Sequence, residues 1–178
     1  MTLKIDQTEL IGVKLISKSL HRDSRGHFSK TYSNELFESL GLEKYWSETF
    51  FSNSVKNVVR GMHYQKRPFD HDKLVSVIHG SILDVVVCVD PNSPEFQRSI
   101  ALELDADSPY SVYISKGYAH GFLTKSDEAC VLYQTTSVYN SSHDTGVHFE
   151  SFGYDWPGSD LIVSDRDRML PLLGDHDW

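Results

Sequence analysis

The chain has 178 residues, of which 39% are hydrophobic, enough for one domain with a sizeable core and too apolar for intrinsic disorder. A formal net charge of -8 argues against a general nucleic-acid binder, which presents a basic surface, although a few cations gathered in one cleft still suffice for an anionic small molecule. The N-terminal MTLKIDQTELIGVKL lacks the order of a signal peptide, and no apolar run approaches the ~20 residues of a membrane span, so a soluble cytoplasmic protein is expected.

In chain order, GVKLISKSL (12–20) alternates with period two and predicts a strand. SNELFESLG (33–41) predicts a helix: Ser33 or Asn34 can cap it, Leu36, Phe37 and Leu40 share a face, and Gly41 stops it. This helix is expected to cover a sheet edge. NVVRGMHYQ (57–65) alternates well enough for a strand with Arg60 and Met62 on one face and Gly61 and His63 on the other. KLVSVIHG, SILDVVVCVD, RSIALELD, YSVYISKG and CVLYQTTSVY follow as further strands, punctuated by HGS, DPNSP, DADSP, SKG and KSDE. SDRDRMLPLL (164–173) predicts a turn or short helix with an apolar anchor. Short strands so spaced predict an all-β sandwich, jelly roll or barrel, with no internal boundary between residues 1 and 178. Cys88 and Cys130 sit in apolar runs and predict buried thiols rather than a disulfide or a metal site.

The segment RGMHYQKRPFDHDK (60–73) packs two arginines, two lysines, two histidines and two aspartates ahead of a buried-looking strand. A solvated loop is the ordinary reading of such charge, and a strand histidine such as His63 or a strand-opening Lys73 is ordinarily packed or exposed without further duty. Convergence would change that. In YISKGYAHGF (113–122), glycines bracket His120, consistent either with a turn or with close approach of a ligand to backbone. Tyr133 and Tyr139 lie six residues apart and share a side if their strand is unbulged. Nine histidines invite a metal reading through His63, His71 and His120, yet no H-x-H, H-x-x-x-H or H-E-x-x-H spacing occurs, and Lys73 would oppose a cation. No G-x-S-x-G elbow and no glycine-rich phosphate loop is present.

Taken together and in order, DSRGHF, VVRGMHYQ, DKLVSVIHGSILDVVV, SPEF, ISKGYAHGF and VLYQTTSVY resemble the dTDP-4-dehydrorhamnose 3,5-epimerase family, from about residue 8 to residue 173. The resemblance implies a cupin-type jelly roll or β-sandwich, a homodimer with strand exchange, no metal or other cofactor, and a nucleotide-diphosphate 4-keto-6-deoxy sugar as substrate. It implies His63 as general base with Asp167 as its carboxylate, Lys73 as catalytic lysine and Tyr133 as acid. It further implies Arg25 and Arg60 at the diphosphate, His120 and Tyr139 lining the sugar pocket, and Asp144 and Arg166 as ligand contacts. By the same implication Arg25 serves the neighbouring subunit's site.

The chemistry suits these residue types. A proton beside a ketone becomes removable when a cation such as Lys73 balances the enolate oxygen, and a histidine with an ordinary pKa of ~6.5 can accept it near neutral pH. Two departures stand out: ETFFS (48–52) replaces the family's usual Q-D-N-H-S, and Lys30 replaces a glutamate after DSRGHF. Both fall on nucleotide contacts, so epimerase chemistry is expected with an altered nucleotide or sugar. Asp144 stands where a glutamate is usual, a milder change. A metal-dependent cupin enzyme and a non-catalytic sugar-nucleotide binding module are the competing readings; the complete set of His63, Lys73, Tyr133 and Asp167 argues against the latter.

Overall fold

A computed structural model describes residues 4–17 and 20–175. The strand expected over 12–20 therefore runs in part outside the described residues. The elements in chain order are β1 (Lys4–Gln7), β2 (Val13–Ser17), β3 (Leu20–Asp23), β4 (Gly26–Ser29), α1 (Asn34–Ser39), β5 (Glu48–Val55), β6 (Val58–Gln65), β7 (Lys73–His79) and β8 (Ser81–Cys88). They continue with β9 (Ser99–Asp105), β10 (Tyr110–Ile114), β11 (Tyr118–Thr124), β12 (Glu128–Thr135), β13 (Asp144–Gly146), β14 (Ile162–Val163) and α2 (Asp165–Arg168). None of the described helices is long and apolar enough to cross a membrane.

Two sheets form a cupin-like β-sandwich. The first has the order β1-β2-β10-β7-β12-β5 and the second β13-β6-β11-β8-β9, with β14 parallel to β6. The hairpin β3–β4 joins neither. Between the sheets pack Val75, Val112 and Val131 from the first and Ile82, Val86 and Phe122 from the second. Each such side chain contributes about 1.5–3 kcal/mol when fully buried, before the entropy of ordering it is subtracted. β8 is buried on both faces: Ile82 and Val86, with Asp84 between them, point between the sheets, while Leu83, Val85 and Val87 meet Val147, Phe149, Trp156 and Leu173 on the outside. A single glycine joins β7 to β8 and so passes the chain from one sheet to the other. Gly80 has φ +72°, and a Cβ there would lie 2.0 Å from the Glu128 carbonyl oxygen.

The predicted helix forms, with Ser33 in extended backbone at its N-cap and Gly41 at φ +68° beyond its end, although the Ser33 hydroxyl makes no capping bond. Its place differs from expectation. Phe37 packs with Ile16, Leu42, Leu74 and Tyr113, and thus covers the outer face of β2, β10 and β7 rather than an edge. The edge positions belong to β1 and β5.

Strict alternation along 57–65 also fails. His63 pairs with His120 and Arg60 with Phe122, so two residues of β6 oppose one of β11. This bulge turns Arg60 and His63 to the same side. It is accommodated by two facing glycines: a Cβ on Gly61 would lie 2.5 Å from the Cα of Gly121. Gly121 accordingly serves close backbone approach, and His120 lies in the middle of a strand rather than on a turn.

Candidate active site

One open end of the sandwich holds a cavity of about 290 Å³, the scale of a sugar ring with its immediate substituents. Its walls come from both sheets: β6 and β11 supply Arg60, His63 and His120, and β7 and β12 supply Lys73 and Tyr133. His63 and Tyr133 therefore approach from opposed sheets, with Lys73 at the opening of its strand.

His63 is held from behind by the short helix α2. Ser164 caps that helix by accepting the Asp167 N–H at 3.1 Å, which fixes the turn from which the Asp167 carboxylate projects. Asp167 Oδ1 lies 2.7 Å from His63 Nε2, and Oδ2 accepts the Gly61 N–H at 3.2 Å. Burial pushes the Asp167 carboxyl up, but His63, the Gly61 N–H and Arg166 outweigh it and leave the group below its ordinary range. An ionised carboxylate so placed takes the Nε2–H, leaves Nδ1 as the basic nitrogen, and supports the imidazolium that forms on proton uptake.

Lys73 is half-buried. Desolvation pushes its pKa down to about 8, while Asp84 and Asp144 pull the other way, so at neutral pH it stays mostly an ammonium with weakened hydration. Asp84 was not singled out from the sequence, although a lone acid in SILDVVVC was a visible signal. It is fully buried and lies 2.6 Å through Oδ2 from His120 Nε2; its Oδ1 has no hydrogen-bond partner among the described residues. Burial lowers the His120 pKa despite Asp84, which keeps the imidazole neutral in the pocket wall. His71 also reaches the cavity; burial first, then Lys73, lowers its pKa to about 4.

Tyr133 is 8% exposed and carries its hydroxyl 3.2 Å from Ser52 Oγ. Burial raises the pKa of the phenol, so it remains protonated and able to donate. The strand paired with its own, β5, is not among the strands legible in the sequence. Its alternating residues Glu48, Phe50 and Ser52 line the cavity, so the ETFFS stretch builds a wall of the site.

Among the remaining expected residues, Arg60 donates through Nε to Ser54 Oγ at 2.9 Å and through Nη2 to the Asn53 carbonyl at 3.1 Å, which aims its guanidinium along the rim. Arg166 and Asp144 both line the cavity and are bound to each other at 2.7 Å. Tyr139 stands at the mouth, 61% exposed, on the segment after β12 rather than on the strand of Tyr133. Buried Gln65 fixes that segment, donating to the Val138 carbonyl at 3.0 Å and accepting the Asn140 N–H at 2.6 Å. Arg25 and Lys30 do not join this chain's cavity. Arg25 extends from the β3–β4 hairpin with its side chain 88% exposed and pairs with Asp23, and Lys30 is exposed just past β4. No group of three or more His, Cys, Asp or Glu among the described residues is placed to hold a metal ion, so His63, His71 and His120 do not form the donor set of the metal reading.

The sequence matches the dTDP-4-dehydrorhamnose 3,5-epimerase family over residues 7–175. It is 37% identical to the dTDP-4-dehydrorhamnose 3,5-epimerase of Escherichia coli K12 over 175 residues, covering 96% of this chain and 95% of the other. The enzyme of that name from Methanothermobacter thermautotrophicus is 36% identical, with coverage of 96% and 94%. In three dimensions the chain superposes with a TM-score of 0.93 on the dTDP-6-deoxy-D-glucose-3,5-epimerase of Legionella pneumophila in complex with dTDP-4-keto-L-rhamnose, at 31% identity, covering 98% of this chain and 95% of that one. With the match over nearly its whole length and relatives of this identity, the chain belongs to the dTDP-4-dehydrorhamnose 3,5-epimerase family.

Proposed function

We propose that the protein inverts C3, C5 or both of a nucleotide-diphosphate 4-keto-6-deoxy sugar, without a cofactor, in deoxysugar biosynthesis. The observation that carries this is the placement of the His63–Asp167 pair and Tyr133 on opposed sheets of one cavity, with Lys73 between them in chemical role. In this reading His63 removes the proton beside the ketone, Lys73 balances the enolate oxygen, and Tyr133 returns a proton to the opposite face. His120 and Tyr139 contact the sugar end, and Arg60 and Arg166 face the diphosphate, with Asp144 orienting Arg166. Incubation with dTDP-4-keto-6-deoxyglucose in deuterated water is expected to place deuterium beside the ketone, and His63→Ala or Asp167→Asn to abolish it. Absence of exchange with any nucleotide 4-keto sugar would sink the reading.

The residues form a single domain that works, in the same proposal, as a homodimer with strand exchange. The hairpin β3–β4 belongs to neither sheet and leaves Phe28 56% exposed, while edge strand β5 leaves Phe51 and Val55 exposed at 64% and 54%. Such an arm carries Arg25 and Lys30 to the partner's cavity. Mixing Arg25→Ala protein with His63→Ala protein is then expected to restore activity, because one site of the mixed dimer is intact; no restoration argues for separate sites. Glu48, Phe50 and Lys30 support a nucleotide or sugar other than the family's usual one, which a thermal-shift series with dTDP, CDP, GDP and UDP tests by ranking affinities. Unpaired Cys88 and Cys130 support a cytoplasmic location.

A further inference from the structure

The face that β5 turns to the cavity repeats every second residue, and its central member does something unusual for a pocket aromatic. Phe50 is the register partner of Tyr133 across β5 and β12, and the two rings stack at 5.0 Å between centroids with 18° between planes. One face of Phe50 is thereby occupied by the phenol, while the residue as a whole stays 46% exposed. Two residues along the same face, Ser52 Oγ meets the Tyr133 hydroxyl at 3.2 Å. From another direction the ring of His120 meets Tyr133 edge-on at 6.1 Å, and His120 is itself anchored to Asp84. The phenol is confined at its face, its flank and its tip.

We propose that Phe50 and Ser52 are positioning residues that hold Tyr133 as proton donor, and so decide how often an enolate is completed by inversion rather than returned to its starting configuration. The inference rests on the epimerase reading. In the first half-reaction His63 takes the proton from carbon, and the C–H electron pair passes through the enolate to the ketone oxygen. When that pair returns to carbon, it takes the Tyr133 hydroxyl proton on the opposite face and leaves a phenolate. The Ser52 hydroxyl donates to this phenolate; water then reprotonates it, and the His63 imidazolium gives its proton to water. A displaced phenol leaves only the imidazolium to return a proton, on the original face. The substrate then gains solvent deuterium without changing configuration.

Exchange and inversion are therefore separable, and their ratio is the readout. Phe50→Ala, Phe50→Tyr and Ser52→Ala in the full chain are compared with the parent protein on dTDP-4-keto-6-deoxyglucose in deuterated water, with NMR following deuterium and configuration at each carbon. Phe50→Ala is expected to lower inversion up to about a hundredfold more than exchange, the scale of loss for a reacting group misplaced by about 1 Å. Ser52→Ala moves the ratio in the same direction, and Phe50→Tyr, which keeps the stacked ring, restores it. An equal fall in exchange and inversion marks a merely structural role and overturns the proposal, as does an unchanged ratio. If the parent protein shows no exchange at all, the epimerase reading has failed and the claim about inversion with it, and 3-fluorotyrosine at position 133 then decides by 19F NMR whether Phe50 positions the phenol. A changed titration midpoint and line width in Phe50→Ala support the clamp; an unmoved signal overturns it.

Discussion

Two histidine–carboxylate pairs lie side by side in this protein, because His63 on β6 and His120 on β11 are register partners. Their hydrogen bonds are almost the same length, 2.7 Å from His63 to Asp167 and 2.6 Å from His120 to Asp84. Their surroundings are not alike. The His63 side chain is 29% exposed and opens on the cavity, whereas His120 is 3% exposed and Asp84 is sealed between the sheets. For the sealed pair, desolvation outweighs the carboxylate and holds the imidazole neutral. The open pair presents its imidazole to the cavity and to solvent. Identical chemistry thus gives one candidate base and one fixed neutral wall, and the difference is water access.

The comparison breaks most sharply at the open pair. His63→Ala is expected to cost roughly 100- to 10,000-fold in solvent exchange beside the ketone with little loss of fold, since the ring is partly exposed; His120→Ala should instead act mainly on substrate affinity, and a reversal of that ranking would assign the base to the wrong pair. Lys73→Met is next, with an expected loss of roughly 100- to 1,000-fold in kcat, as for removal of a group that stabilises developing negative charge.

The lysine also senses the sealed pair. As pH rises through about 8, Lys73 loses its proton and its ability to balance an enolate, so kcat should fall there. Asp84 raises that pKa, so Asp84→Asn destabilises the ammonium and moves the alkaline limb to lower pH. A pH–rate profile unaffected by Asp84→Asn would mean that the sealed pair does not act through Lys73. Asp84→Ala, which strips the buried hydrogen bond to His120, is expected to cost about 2 kcal/mol of stability in a denaturant titration, a typical value for a bond to a charged group. Ser164→Ala is the mildest. Loss of the α2 cap costs about 1 kcal/mol, and because α2 carries Asp167 it should lower exchange slightly while leaving the His120 side untouched.

The legible part of the site was the part written in short motifs. His63 in RGMHYQ, Lys73 in DKLV, Tyr133 in VLYQ and Asp167 in SDRDR could each be placed by resemblance, and the structure brings them together. The ETFFS stretch is legible only as a departure, because its two adjacent phenylalanines obscure the alternation that puts Phe50 on the cavity side and Phe51 on the other. GYAHGF hid a strand for a related reason: its glycines fit either a turn or the close approach of a ligand, whereas Gly121 lets the backbone of Gly61 approach. Arg25 and Lys30, expected at the substrate, are held away from this chain's own cavity, on a two-stranded arm that joins neither sheet of the sandwich.

Taken by itself, the sequence determined an all-β chain with a short early helix, a turn or short helix with an apolar anchor near its end, and a set of acid–base residues in a recognisable order. Alternation, glycine placement and capping are local properties, set within a few residues of where they are read. Only the tertiary structure decided that Arg60 and His63 share a side, that α1 covers a face, that Asp84 lies behind His120 and Lys73, and that Phe50 stacks on Tyr133. Each of these depends on register between strands or on which sheet lies opposite. A one-residue bulge in β6 reverses the side taken by every residue beyond it, and no periodicity within β6 records the partner strand that imposes it.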